Sequence, residues 1–276
     1  MAAYDEVNDP DLRFNAATGT ENMLTVLSDT ELYVFATTTF NPGGTVTLES
    51  GGTGNSYDGS LHLGASSTFV GAGTTTYTVG GSIILEPSAH IITASSTVVM
   101  AATTSGKTIT GDSTINFNEL QFVGVGGSWN INTDIIAAAD IEVATGTVTG
   151  TGDVTLTGGE LYGDGVVSLG GGTTLIHQSN ILGGVREWTF NNLTLGNGSI
   201  VGTTTRATNA TTTVGGVLTI SAAHFLNSGG SGWNLTGSGN VFVENGTFLE
   251  ATSTIQYGGT SNANVLSTTY HDLYVN

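Results

Sequence analysis

The chain has 276 residues, about a third of them Thr (48) and Gly (42), with no Cys, three Pro and a formal charge of −18 from 22 acidic against four basic side chains. Four cations cannot lay down the basic stripe that nucleic acid requires. Absent Cys excludes disulfide scaffolds and Cys-based zinc sites, and no apolar run approaches the ~18 residues of a membrane-spanning helix. Gly, Thr, Ser and Asn disfavour long helices. A hydrophobic content of 38% and a mean hydropathy of +0.14 still leave enough apolar surface to bury, which argues against disorder.

The opening MAAYDEVNDPDLRF has no apolar stretch of the secretory-signal kind, so the expectation is a mature form or a piece of something longer. Residues 1–20, richer in charge and containing Asp9-Pro10, read as an N-terminal arm or cap, and 21–276 as a single repeat rod. Along the rod, short apolar bursts alternate with period two. They are LYVF at 32–35, TVTL at 45–48, SLHL at 60–63, SIIL at 82–85 and TVVM at 97–100. They continue with DIEV at 140–143, DVTL at 153–156, VVSL at 166–169, TLIH at 174–177, VLTI at 217–220, NVFV at 240–243 and TIQY at 254–257. Gly, Asn, Asp or Ser usually separates them, as strands joined by turns require, and no window holds a 3.6-residue period. The pattern predicts an all-β protein.

Two β architectures fit such bursts. Hairpin dipeptides occur only at Asp58-Gly59, Asp164-Gly165, Asn197-Gly198 and Asn245-Gly246, too few to pair every burst. Long-period similarity is present instead: FNELQF at 117–122 recurs as FNNLTL at 190–195 and YHDLYV at 270–275. ENMLTVLSDTELYV at 21–34 likewise matches NANVLSTTYHDLYV at 262–275, and the landmark Leu recurs at Leu32, Leu120, Leu193 and Leu273. The expectation is a parallel β-solenoid (β-helix) built from about three divergent units of ~80 residues, near 33–120, 121–193 and 194–273. At about twenty residues per coil this gives roughly thirteen coils and, at ~4.8 Å per coil, a rod about 60–65 Å long. Tandem small β-sandwich modules are the alternative. Gly is expected at corners that need positive φ.

The segments GTVTGTGDVTLTGG at 146–159, GTFLEATSTIQYGG at 246–259 and TTYHDLYVN at 268–276, with the Thr/Gly/Asn-rich composition, resemble the long repeat-rich surface proteins of bacteria. These are of the adhesin and autotransporter-passenger kind. The resemblance implies a secreted β-solenoid with a structural or adhesive task.

Chemistry-bearing residues are sparse, and no catalytic, cofactor or metal residue is assigned. Asp134, Asp140, Asp153, Glu160 and Asp164 fall close together, and two of them on one face would make a glycosidase-like carboxylate pair. A solvated acidic edge explains them more simply. Asp58 and Asp164 sit in Gly turns, but calcium-binding nonapeptides and EF-hand spacing are absent, so a structural calcium has no motif behind it. His62, His90, His177, His224 and His271 show no ligand spacing, and no nucleophile elbow accompanies any Ser. Trp129, Trp188 and Trp233, with Tyr57, Tyr162 and Tyr257, are candidate sugar-stacking groups. Thr-x-Thr pairs recur at gaps too irregular to predict a ladder along one face, so ice binding is not expected. The sequons at Asn192, Asn197, Asn209, Asn234 and Asn245 follow from Asn and Thr abundance.

The expected function is that of an extracellular, non-enzymatic structural protein. It would form a stiff cell-surface rod or filament segment, with few sites for trypsin-like proteases, that self-associates end to end into a homopolymer. The alternatives are an adhesin or tailspike module that takes cell-surface glycans, and a secreted glycan-cleaving β-helix. Neither nucleic acid binding nor membrane insertion is expected.

Overall fold

The computed structural model describes residues 4–6, 9–14, 23–52, 57–178, 181–207 and 210–276. The chain is all-β, with no helix among the described residues, and its parallel sheets stack as a β-solenoid of about 11 turns. The expected parallel β-solenoid is the fold, rather than the alternative of tandem β-sandwich modules. The number of turns falls short of thirteen because coil length is not fixed. Ile141 pairs with Leu161, 20 positions on, whereas Leu32 pairs with Leu61, 29 on, and Val46 with Tyr77, 31 on. Surface loops of different length close equivalent turns at little entropic cost.

Two compact units divide the chain, Met1–Ile136 with Thr145–Thr147 and Ala137–Ala144 with Val148–Asn276. In the first, one sheet stacks Glu31–Val34, Leu61–Leu63, Ile83–Leu85, Lys107–Thr110 and Ser128–Ile131 in parallel. Its inward column runs Leu32, Leu61, Ile83, Ile109, Ile131, all buried. A second sheet carries Met23–Val26, Thr45–Leu48, Thr76–Val79, Thr97–Met100 and Glu119–Phe122. A third, of Thr39–Phe40, Thr68–Val70 and His90–Ile92, turns Phe40, Phe69 and Ile91 into the same interior. Alternation of buried and outward residues along each strand is the period-two signal of the sequence made physical.

At the start of this unit Asp9–Phe14 pairs in parallel with Glu31–Val34, and Tyr4–Glu6 pairs antiparallel on Asp9–Phe14. The expected arm therefore includes a strand of the solenoid and an antiparallel strand laid on it. The rest of 1–20 lies outside the described residues.

The second unit has two long columns. Val167, Trp188, Thr212, Trp233, Ile255 and Leu273 form one, and Thr174, Leu193, Leu218 and Phe242 the other. The strand Trp188–Leu195 spans both. The sequence landmarks Leu193 and Leu273 thus belong to different columns, and the matched hexapeptides are not structurally equivalent. What repeats is the single coil rather than the 80-residue block.

Corners are not reserved for Gly. Asp29, Thr37, Ser66, Ser88, Ala94, Ala223 and Ala251 all have positive φ. Thr37 and Ser66 donate their backbone N–H to Ala65 and Pro87 on the following coil, so these left-handed corners stack upon one another. Where Gly is required, the reason is close approach. A Cβ at Gly124 would lie 1.6 Å from the Ala102 carbonyl oxygen, whereas one at Gly170 would meet nothing within 4 Å. Gly124→Ala is expected to cost about 2–3 kcal/mol by forcing two coils apart, and Gly170→Ala to be nearly neutral. Thermal melting of the two variants checks this.

Candidate functional site

The acidic run of the second unit is distributed along its corners. Glu160 N–H donates to Asp140 Oδ1 at 2.7 Å, Thr173 N–H to Asp153 Oδ1 at 2.6 Å and Val185 N–H to Asp164 Oδ1 at 3.2 Å. Each carboxylate holds the amide of a residue about one coil further on, which satisfies a corner donor that the sheet ladder leaves over. Asp134 lies in the first unit, where its carbonyl accepts from Ile115 N–H. Among the described residues, no group of three His, Asp or Glu is placed to hold a metal ion.

Asp58, singled out from its Gly turn, is fully buried. Its Oδ1 accepts from the N–H groups of Asp29 at 2.9 Å and Gly51 at 2.7 Å. Its Oδ2 accepts from the Ser50 hydroxyl at 2.8 Å and Gly52 N–H at 3.1 Å. Burial pushes this carboxyl upward, but the four donors outweigh it and hold the group below its ordinary value. Both oxygens are used in tying the 50–58 loop to the preceding coil, which makes Asp58 a loop clamp.

The aromatic candidates are mostly interior. Trp129, Trp188 and Trp233 are 1% exposed, and Tyr257 is buried. Trp188 Nε1–H donates to Gly165 O at 3.0 Å. Only Tyr57 of this set is exposed enough to count as a surface ring. The sequon Asn192 is engaged through Oδ1, which accepts Val217 N–H, and Asn209 lies outside the described residues.

Threonine stacking differs from the expectation. Thr25, Thr47 and Thr78 form one column on the outer face of the first unit, and Thr76 and Thr97 face each other in the next. The loops absorb the irregular gaps, so the ladder forms, but it is short. Val99 and Gln121 continue the first column, and the Thr97 hydroxyl donates to Glu119 Oε2 at 2.9 Å.

Two interior polar sites of the second unit went unrecognised in the sequence. Arg206 is buried, donating from Nε to Thr212 Oγ1 at 2.7 Å. Its Nη1 donates to the carbonyls of Ala207 at 2.6 Å, Leu182 at 3.1 Å and Gly184 at 3.3 Å, and Nη2 to Arg186 O at 3.3 Å. Burial pushes its pKa down to about 10, which still leaves it charged at neutral pH. His224, fully buried, contacts Thr204 Oγ1 through Nε2 at 2.9 Å, and burial pushes its pKa down toward the neutral ring. Nothing in local spacing marks an inward Arg.

The first unit holds one outward cluster of opposite charge. His62 Nδ1 lies 3.5 Å from Glu31 Oε2, and its Nε2 lies 3.3 Å from Glu86 Oε1. The Tyr33 ring packs edge-on against the imidazole with centroids 4.6 Å apart, and the Tyr33 hydroxyl donates to Glu86 Oε1 at 3.3 Å.

The second unit ends on the strand Asp272–Val275, paired in parallel with Thr254–Tyr257. All four of its residues are exposed, with Leu273 at 40% and Val275 at 62%, although their partners Ile255 and Tyr257 are buried.

No family model matches the chain, and no curated protein or solved structure matches it.

Proposed function

We propose that the chain is an extracellular structural protein, a segment of a stiff surface rod or filament that assembles end to end. One observation carries this reading: successive coils bury a continuous apolar column against one another, as Leu32, Leu61, Ile83, Ile109 and Ile131 do, so a further coil adds by the same pairing. A second copy suits this mode because a coil of this chain stacks on its own kind: Leu61–Leu63 pairs in parallel on the following edge of Glu31–Val34. A head-to-tail contact of this kind does not close on itself and gives filaments.

The acidic, Lys- and Arg-poor surface supports an extracellular setting, and the Thr/Gly/Asn-rich solenoid supports a place among bacterial surface proteins of the adhesin or autotransporter-passenger kind. Structure alone supplies the work proposed here: no catalytic step, cofactor or metal enters it. Sedimentation velocity tests the reading. The native chain is expected to form species that grow with concentration. A native chain that remains monomeric throughout would refute it.

A further inference from the structure

We propose that Glu31, His62 and Glu86 form a proton-operated clamp across three successive coils of the first unit, closed when the imidazole is protonated and loosened when it is neutral. The proposal concerns the local order of this unit and does not depend on filament formation.

Register brings the three residues together. Tyr33 pairs with His62, and His62 with Ile84, so the strands Glu31–Val34, Leu61–Leu63 and Ile83–Leu85 lie side by side with Tyr33, His62 and Ile84 on the outer surface. Glu31 precedes the first strand's outward Tyr33 by two positions and shares its face. Glu86 follows the third strand directly. The imidazole therefore stands between carboxylates from the coil before and the coil after, at 3.5 Å and 3.3 Å.

The environment makes the proton matter. Glu31 is 3% exposed, and among the described residues its Oε2 accepts no hydrogen bond and both His62 ring nitrogens lack well-aligned partners. A protonated ring sets one positive charge between two negative ones. A neutral ring withdraws that charge from a carboxylate held away from water, which is costly. Burial pushes the His62 pKa down, but Glu31 and then Glu86 outweigh burial and hold it above the ordinary 6.5.

Glu86 extends the clamp to the backbone. Its Oε2 accepts Ala65 N–H at 3.0 Å, and Ala65 directly precedes the left-handed corner at Ser66. Asp11 and Arg13 hold the register positions opposite Glu31 and Tyr33, and Asp112 accepts Ser88 N–H on the far side of Glu86.

The sign follows from linkage. A raised folded-state pKa gives stabilisation that is fully present below 6.5 and is lost as pH rises through the folded value. The test is side-chain NMR titration of His62 in the full chain, with amide exchange of the strands Glu31–Val34 and Leu61–Leu63 at about pH 5.5 and about pH 8.5, corrected for intrinsic rates. His62 is expected to titrate above 6.5, and protection of these amides to fall several-fold at the higher pH. His62→Gln should abolish that difference. Because the readout is a ratio within each protein, a general loss of stability in the variant leaves it intact. Should His62→Gln fail to fold, Glu31→Gln, which keeps the shape, should lower the His62 titration point and shrink the ratio. A native His62 titrating at or below 6.5, or an unchanged ratio in the variant that folds, would overturn the clamp.

Discussion

Arg206→Met is expected to lower the stability of the chain by about 3–4 kcal/mol, seen as a fall of roughly 10 °C in melting temperature. The guanidinium lies inside the second unit with Thr212 at one end and the carbonyls of Leu182, Gly184, Arg186 and Ala207 around the other. Among the described residues no carboxylate pairs with it, so its charge is compensated by oriented carbonyl dipoles. Methionine fills a similar volume but donates nothing, and four carbonyls lose the guanidinium, Leu182 O alone among them keeping the Ala207 N–H as an identified donor. An unmade hydrogen bond in the interior costs more than a made one contributes. The loss is therefore set by the carbonyls left behind. Arg206→Lys should recover less than half of it, because an ammonium cannot span the fork that reaches both Thr212 and the carbonyls. Thr212→Val, which removes one acceptor and keeps the shape, should cost about 1 kcal/mol. Denaturant unfolding of the three variants separates these effects, and equal losses for Met and Lys with none for Val would point to packing alone.

Asp58→Ala is the second large loss, expected at about 3 kcal/mol. Three backbone N–H groups and the Ser50 hydroxyl converge on this carboxylate inside the first unit, and alanine removes that acceptor from all four, leaving Gly52 N–H its 3.3 Å bond to Ser50 Oγ. Asp58→Asn should be nearly as harmful, because its amide turns a donor toward donors. The pH dependence has a definite sign. The folded-state pKa lies below the ordinary 3.8, so the stabilisation is fully present above that value and disappears as pH falls through the folded one. The gap between the native chain and Asp58→Ala should therefore be widest well above pH 3.8 and close on acidification. A gap that stays constant with pH would mean that the loop is held by its shape rather than by this charge.

Strand bursts, turns and the solenoid class were legible because period-two alternation is a direct consequence of strands with one buried face. The burst LYVF at 32–35 reads as a strand from its letters, and the strand there is Glu31–Val34. Coil count was not legible, since the step between paired residues varies, 29 from Leu32 to Leu61 and 31 from Val46 to Tyr77 against 20 from Ile141 to Leu161. Long-range similarity misled for a related reason. The segments around Leu193 and Leu273 share a local strand pattern, yet pairing with Leu218 and Thr174 in one case and with Ile255 in the other places them in separate columns. The same insertions hid the stacking of Thr25, Thr47 and Thr78.

The chemistry-bearing residues divide in the same way. Asp140, Asp153 and Asp164 are close in sequence, but their partners lie a coil away, and only the fold shows that each carboxylate holds a different amide. Glu31, His62 and Glu86 are far apart in sequence and adjacent in space, since a coil of 22 to 29 residues separates neighbours on one face. No short motif could have linked them. Arg206 offered no signal either: an arginine flanked by Thr and Ala in an alternating strand reads as a surface residue until its inward register is known.

The most direct measurement of end-to-end assembly is electron microscopy of the purified protein over a concentration series. The account predicts unbranched filaments whose width stays constant while their length grows with concentration. Compact monomers alone at every concentration would contradict it.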